Sequence, residues 1–171
     1  AVELYEAWAL ARAINRAEIE QNRDVLKMAA MLHDVGKVAI TDLILKKPAR
    51  LDNYEFEVMK QHTWLGARLF ANQRSDFDKA AFLVTLSHHE RWDGNGYPGN
   101  IDHFTGEPLT GFHDANGRAV GKKQEEIPLF GRIVAIADVF DALSSGRSYK
   151  EPWDEGRVLE TMNLERGRHF D

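Results

Sequence analysis

At 171 residues, 43% of them hydrophobic, the chain is long enough for one well-buried core and short for two domains. The absence of cysteine excludes disulfides, thiolate metal sites and a cysteine nucleophile, and fits a reducing compartment. A formal charge of -5 without a Lys/Arg-rich block argues against a nucleic-acid groove, and neither a signal peptide nor a membrane-length apolar run is present, so a cytoplasmic domain is expected.

The chain begins inside a helix, because Val2, Tyr5, Trp8, Ala9 and Ala13 recur at three- and four-residue steps with no capping residue ahead of them. With no stopping signal before Asp171 either, the natural domain is expected to extend past both ends of the sequence. A second helix is predicted over about 23–34, with Val25, Met28, Ala29 and Leu32 facing inward and Gly36 as its stop. This run ends on His33-Asp34. A buried imidazole and carboxylate are costly unless compensated, and a divalent cation compensates both together. A hydrogen-bonded pair or a cap is the plainer role for such a dipeptide, so its weight depends on the histidines and aspartates downstream. Residues 37–50 read as irregular or short helical turns.

Asp52 and Glu55 have the spacing of a capping box. The helix they open places Met59, His62, Gly66 and Leu69 on one face, which turns His62 inward, as a satisfied core histidine or as a ligand. A further helix, about 78–90, is expected to bury Phe82, Leu83 and Leu86 and ends in His88-His89-Glu90. Consecutive helical side chains diverge by about 100°, so both histidines reach one site only if it is broad, as a binuclear site is, or lies over the helix end. Arg91 to Gly99, with three glycines and a proline, must turn tightly. Residues 100–124 lack helical period and read as a long excursion with a small hairpin around Asn116-Gly117. Its His103, His113 and Asp114 look like exposed loop residues rather than ligands.

The last strong helix is predicted over 128–145, with Pro128 in its first turn and Ile133, Ile136, Phe140 and Leu143 inward. Asp138 lies on the neighbouring stripe among Val134, Ala135, Ile136, Ala137, Val139 and Phe140, where an unpaired carboxylate is badly placed. It needs a partner, and a metal would serve. Arg147 and Lys150 follow the helix, either as cations at its C-terminus or facing an anion beside Asp138. A final helix is expected over about 154–165.

Six side chains from four helices are therefore candidate ligands: His33, Asp34, His62, His88, His89 and Asp138. They exceed what one tetrahedral zinc uses and suit two ions bridged by a carboxylate, for which Asp34 is the natural choice. Such a pair clamps a phosphoryl group and acidifies a shared water, giving a hydroxide for in-line attack on phosphorus. Phosphoester hydrolysis is the chemistry implied, with Asp34 and Lys37 in catalytic positions and Lys37, Arg147 and Lys150 as fixed positive charge for phosphate.

His33-Asp34-Val35-Gly36-Lys37, together with His88-His89-Glu90-Arg91-Trp92-Asp93-Gly94-Asn95-Gly96-Tyr97-Pro98, resembles the HD-GYP subgroup of HD-domain phosphohydrolases. Lys46-Lys47-Pro48, Met59 to His62, Glu126 to Leu129, Ile136 to Leu143 and Arg147 to Lys150 extend the likeness over nearly the whole chain. The resemblance implies an all-α fold, a single helical HD-domain bundle over 1–171, interrupted by an irregular insertion at about 99–124 after the Gly-Tyr-Pro loop. It implies a phosphodiesterase that opens cyclic di-GMP to linear pGpG, and further to GMP. Two divalent ions are implied, iron or manganese first, with zinc, nickel and cobalt open to the same donors. The family usually has another histidine on its first helix, which this chain either starts too late to show or lacks, so the sequence supplies no such ligand for a third metal.

By the same likeness Lys37, Tyr97, Arg147 and Lys150 contact substrate, while Asp93 and Asp141 support the metal ligands or shape the loop. An upstream receiver or sensor domain is implied in the full-length protein, with a diguanylate cyclase or other signalling protein as partner. The insertion departs from the family pattern, as does Gly99 where an arginine is usual. It could form a lid, tune the choice between cyclic di-GMP and a mixed cyclic dinucleotide, or contact another domain. Two other functions compete: a module that binds the dinucleotide with weak or no turnover, and an HD phosphohydrolase acting on another nucleotide.

Overall fold

A computed structural model of the protein describes residues 1–145 and 152–171. Among the described residues the fold is all-helical, without a strand: α1 Val2–Ala11, α2 Arg16–Met31, α3 Asp42–Leu45, α4 Asn53–Lys60, α5 His62–Ala67, α6 Asp76–Ser87, α7 Leu129–Ser144 and α8 Glu155–Leu164. Three single-bridge pairings are the nearest approach to a sheet. No helix of the described residues is long and apolar enough to cross a membrane.

Helix α6 is the axis of the bundle, packed by α2, α5 and α7, with α1 laid across α2 and α7. Ser75 caps it, accepting from the Asp78 N–H while the Asp78 carboxylate accepts from Ser75 N–H, a reciprocal box that fixes where the helix starts. Its Ala80, Ala81, Val84 and Thr85 form the stripe buried against its neighbours, and they meet Leu26 and Ala29 of α2 and Ile133 and Val134 of α7. Burying each of the larger side chains contributes about 1.5–3 kcal/mol. Phe82 is buried from the other side by the insertion, where His103 stands edge-on at 5.0 Å, and Leu83, at 39% exposure, is left outside rather than in the core.

Helix α2 starts seven residues earlier than its apolar pattern indicates, because Asn15 caps it by accepting from the Glu18 N–H. Ile19 and Leu26 are its inward residues, and Met28 is exposed. The helix also ends early, at Met31, so His33 and Asp34 occupy a turn that runs into a 3₁₀ helix, Val35–Ala39. Gly36 does not stop α2. It lies inside that 3₁₀ helix at a crossing with α5, where a Cβ would meet the His62 carbonyl oxygen at 1.9 Å and Gly66 N at 2.5 Å.

The Asp52–Glu55 capping box is formed as expected. The helix it opens is not continuous: at Gln61 the ladder tightens to an i−3 bond, Gln61 N–H to Val58 O, and α5 starts at His62. His62 is buried, but Leu69, inside a second 3₁₀ turn, Arg68–Phe70, has left the shared face and is exposed. In α7, Ile133 is buried, whereas Phe140 is 37% exposed beside an open cleft it shares with Leu4, Ile136, Leu159 and Met162. Residues 100–124 make two small turns. One is pinned by Ile101 against Pro108, and the other is a hairpin whose tip, with Gly117 at φ +74, is Asn116-Gly117.

Candidate metal centre

The six candidate ligands come from four separate places in the bundle. His33 and Asp34 occupy the turn after α2, His62 opens α5, His88 and His89 follow the last residue of α6, and Asp138 rides on α7. Their side chains converge. Asp34 Oδ1 lies 3.4 Å from His62 Nε2 and 3.8 Å from His88 Nε2, while its Oδ2 lies 3.4 Å from His33 Nε2. His33 Nε2 is also 3.6 Å from Asp138 Oδ1, which ties α7 to the group. The His88 and His89 rings are 4.1 Å apart, so the end of α6 does bring consecutive histidines to one place. Asp34, His62, His88 and His89 each offer a donor atom within 4.8 Å of the others.

The hydrogen bonds behind these residues decide what their inner atoms can do. His33 Nδ1 donates to Ala30 O at 2.7 Å, His62 Nδ1 to Met59 O at 2.7 Å, and His88 Nδ1 to the carbonyls of Val84 and Thr85 at 3.1 and 3.0 Å. Backbone carbonyls accept only, so the proton of each neutral ring is on Nδ1 and the Nε2 lone pair points into the cluster. His62 Nε2 and His88 Nε2 thus oppose one another at 3.3 Å, with a carboxylate oxygen alongside. Among the described residues, Asp34 Oδ1 is a buried acceptor without a hydrogen bond. Converging lone pairs around an unpartnered anionic oxygen fit a divalent cation held by nitrogen and oxygen.

Protonation follows the same geometry. Burial lowers His33, but hydrogen bonds to Asp138 and Asp34 and the Ala30 carbonyl outweigh it and raise the imidazole to about 10. Burial pushes His62 down to about 4, and burial with the adjacent His88 and His62 holds His89 well below its ordinary value. Asp34 and Asp138 stay ionised despite burial, Asp34 because His33, His88 and Lys37 surround it. Two anions and at least two neutral imidazoles are the donor set a cation requires.

Lys37 places Nζ 2.5 Å from Asp34 Oδ2, on the same edge of the carboxylate as His33. Tyr97 stacks on His89, ring centres 4.7 Å apart, and burial together with Asp138 and Asp34 pushes its phenol up, so it remains an O–H donor. Asp93 accepts from Arg91 at 3.1 and 2.8 Å and from Asn95 N–H, which shapes the turn before Gly96-Tyr97-Pro98. Asp141 is exposed and accepts from Ser145 Oγ at the end of α7, away from the cluster despite sharing a helix stripe with Asp138. Arg147 and Lys150 lie outside the described residues. His103 packs between Phe82 and Phe104, and Asp114 accepts from Asn116 and Arg118 N–H in the hairpin, so neither joins the cluster.

One residue that pattern reasoning passed over is Glu90. It is 2% exposed, accepts from Gly99 N–H at 2.7 Å with one oxygen and from Lys122 N–H at 3.0 Å with the other, and so buckles the two ends of the insertion beside His89. Burial pushes its carboxyl up to about 7 against the pull of Lys122 and those two amides. The signal for it was a carboxylate entering a loop rich in backbone donors that must find acceptors. Glu90→Ala should strand the buried Gly99 N–H and the part-buried Lys122 N–H and cost about 2–4 kcal/mol in denaturant unfolding, where a loss under about 0.5 kcal/mol would show the buckle to be idle.

A family model described as HD domain matches residues 4–143. The chain belongs to the HD-domain family. HD-domain proteins are metal-dependent phosphohydrolases, and the His/Asp cluster of this HD domain is where a metal can be held. Its relatives agree with the HD-GYP resemblance. It is 39% identical over 152 residues, 89% of this chain and 25% of that protein, to the 3'3'-cGAMP-specific phosphodiesterase 2 of Vibrio cholerae serotype O1. It is 42% identical to the cyclic di-GMP phosphodiesterase response regulator RpfG of Xanthomonas campestris pv. campestris, over 89% of this chain and 35% of that protein. A cyclic di-GMP phosphodiesterase of Thermotoga maritima is 43% identical over 74% of this HD domain and 29% of its own length. The chain spans about a quarter to a third of these relatives.

Proposed function

We propose that this HD domain is a metal-dependent phosphodiesterase that opens cyclic di-GMP to linear pGpG and carries it on to GMP. The observation that carries the reading is the convergence of His62 and His88 lone pairs on the unpartnered Asp34 Oδ1, in a chain whose relatives cleave cyclic dinucleotides by name. His33, Asp34, His62, His88, His89 and Asp138 would hold two divalent ions, iron or manganese first. Asp34, with His62 and His88 near one oxygen and His33 and Lys37 near the other, would be the ligand shared between them. Bound there, the pair supplies Lewis acidity at phosphorus and acidifies a water at neutral pH.

The remaining work falls to the chain. The carbonyls of Met59, Val84 and Thr85 hold His62 and His88 with Nε2 toward the cluster, and that of Ala30 orients His33 likewise, whose Nε2 proton, shared with Asp138 and Asp34, would leave when a cation binds. Lys37 sets a positive charge beside the bridging carboxylate, where a phosphate oxygen would be received. Tyr97, braced on His89 and kept protonated, offers an O–H to the substrate, and Arg147 and Lys150, outside the described residues, are the further cations proposed for its phosphates. We take residues 1–171 as one phosphohydrolase unit acting in the cytoplasm as the output of a longer signalling protein. An upstream receiver or sensor, suggested by the response-regulator name of one relative, and a diguanylate cyclase partner complete the reading. Because other relatives carry cGAMP in their names, 3'3'-cGAMP is the second substrate to try.

Metal-loaded protein incubated with cyclic di-GMP should yield pGpG and then GMP, resolved by chromatography and mass. Intact dinucleotide after long incubation with protein that elemental analysis shows to hold two ions per chain would reject hydrolysis in favour of binding alone.

A further inference from the structure

Between α4, α5 and the insertion lies a cleft of about 390 Å³, within the span of about 300–1,000 Å³ usual for small-ligand sites. Its inner wall carries Lys60 and Trp64. Its outer wall is the insertion itself, with Gly106, Glu107 and Arg118. Tyr97 forms the end of the cleft and, at 4.7 Å, stacks on His89, so a single aromatic ring separates this space from the metal cluster.

The walls are held in place. Arg68 donates Nε–H to His103 O at 3.1 Å, bonds Phe104 O as well, and stacks 4.2 Å over the Trp64 indole, joining α5 and its following turn to the insertion. Gly106, at φ +80, lies so close to the indole that a Cβ there would stand 2.8 Å from it. Glu90 fastens Gly99 and Lys122 at the base. Lys60 is pinned by Glu57 at 2.7 Å and stands 5.7 Å from the Tyr97 ring centre.

We infer that this cleft is a nucleobase pocket, that the insertion is its outer wall, and that Glu107 sets its preference for a guanine base while Arg118 adds affinity for either purine nucleotide. The inference rests on the cyclic-dinucleotide reading and adds to it the part of the site that distinguishes bases. Aromatic surface is what a base stacks on, and cations beside it suit the phosphates that flank a base. A carboxylate is selective among purines: both guanine N1–H and N2–H donate to it, whereas adenine sets its N1 lone pair against it. A glutamine would reverse this, since its amide accepts from adenine N6–H and donates to N1. Of the three roles open to the insertion, this one makes it a determinant of substrate choice.

The test is the binding of GMP and AMP to the metal-loaded protein by titration calorimetry, with cyclic di-GMP hydrolysis followed in parallel. Both mononucleotides bring the same phosphate to the metals, so the ratio of their Kd values isolates base recognition. The wild-type protein should bind GMP about tenfold tighter than AMP, and Glu107→Gln should erase or invert that ratio. Arg118→Ala should weaken both by about fivefold, and both positions are exposed, so neither variant threatens the fold. Equal affinity for GMP and AMP in the wild type, or a preference untouched by Glu107→Gln, would overturn the pocket while leaving hydrolysis standing. A guanine preference that depends on Glu107, in a protein that leaves cyclic di-GMP intact, would confirm the pocket and reject only the proposed reaction.

Discussion

Asp34→Asn is expected to leave a folded protein that has lost its metal and turns over cyclic di-GMP at least about a thousandfold more slowly, the scale of about 4 kcal/mol of transition-state stabilisation. The substitution keeps the side chain's shape and one acceptor oxygen, and removes the charge on which three imidazoles and Lys37 converge. A neutral amide oxygen is a much weaker ligand for divalent cations than a carboxylate, so the two facing Nε2 lone pairs of His62 and His88 would hold a cation without the anion that neutralises its charge. The metal-free fold should hardly notice. Asp34 and Lys37 are each about a third exposed, so their ion pair is screened, and a stability change of no more than about 1 kcal/mol is expected. Metal content by elemental analysis, turnover by product chromatography and stability by denaturant unfolding separate these effects. A variant that kept both its ions and its turnover would show the carboxylate to be incidental.

Gly36→Ala should be the most damaging small change to the fold. The added methyl would lie 1.9 Å from His62 O, 2.5 Å from Gly66 N and 2.8 Å from the His62 carbonyl carbon. All three are backbone atoms, so no rotamer change relieves the overlap and α5 must move away. The opposite side of the crossing is equally tight, since a Cβ at Gly66 would meet Thr85 Cγ2 at 2.5 Å and Gly36 N at 2.9 Å. Two glycines, one from each segment, therefore set the approach of the Asp34 turn to His62. A loss of about 3–5 kcal/mol is expected in denaturant unfolding, with weaker metal binding in whatever remains folded. A variant within about 1 kcal/mol of the parent would mean that the crossing is looser than these contacts allow.

The same glycine shows where sequence reasoning runs out. Gly36 after an apolar helical run looks like a C-terminal stop, and only the approach of α5, some 30 residues away in the chain, reveals a packing residue. What was legible was local or strongly patterned. The Asp52–Glu55 box needs only a three-residue spacing, His62 was turned inward by its neighbours at Met59 and Gly66, and Asp138 announced a need for a partner by its apolar flanks. That partner is His33, at 3.6 Å.

What failed depended on neighbours that the sequence does not specify. Met28, Leu83 and Phe140 have the right period for a core yet are exposed among the described residues, Phe140 beside an open cleft between α1, α7 and α8. Leu69 fell out of register when the helix tightened at Gln61. Asp141 shares a stripe with Asp138 but has passed beyond the cluster by the end of α7. The long polar insertion offers no period at all, so its two turns, its attachment to Trp64 through Arg68 and its cleft beside Tyr97 emerge only from contacts far apart in the chain.

The central claim is that His33, Asp34, His62, His88, His89 and Asp138 hold a pair of ions across Asp34. Crystals grown with manganese and measured at its absorption edge test it directly. Two anomalous peaks about 3.5–4 Å apart, each within bonding reach of an Asp34 oxygen, are the result the donor geometry predicts. A map with no peak near Asp34, from protein carrying manganese elsewhere or not at all, would contradict it.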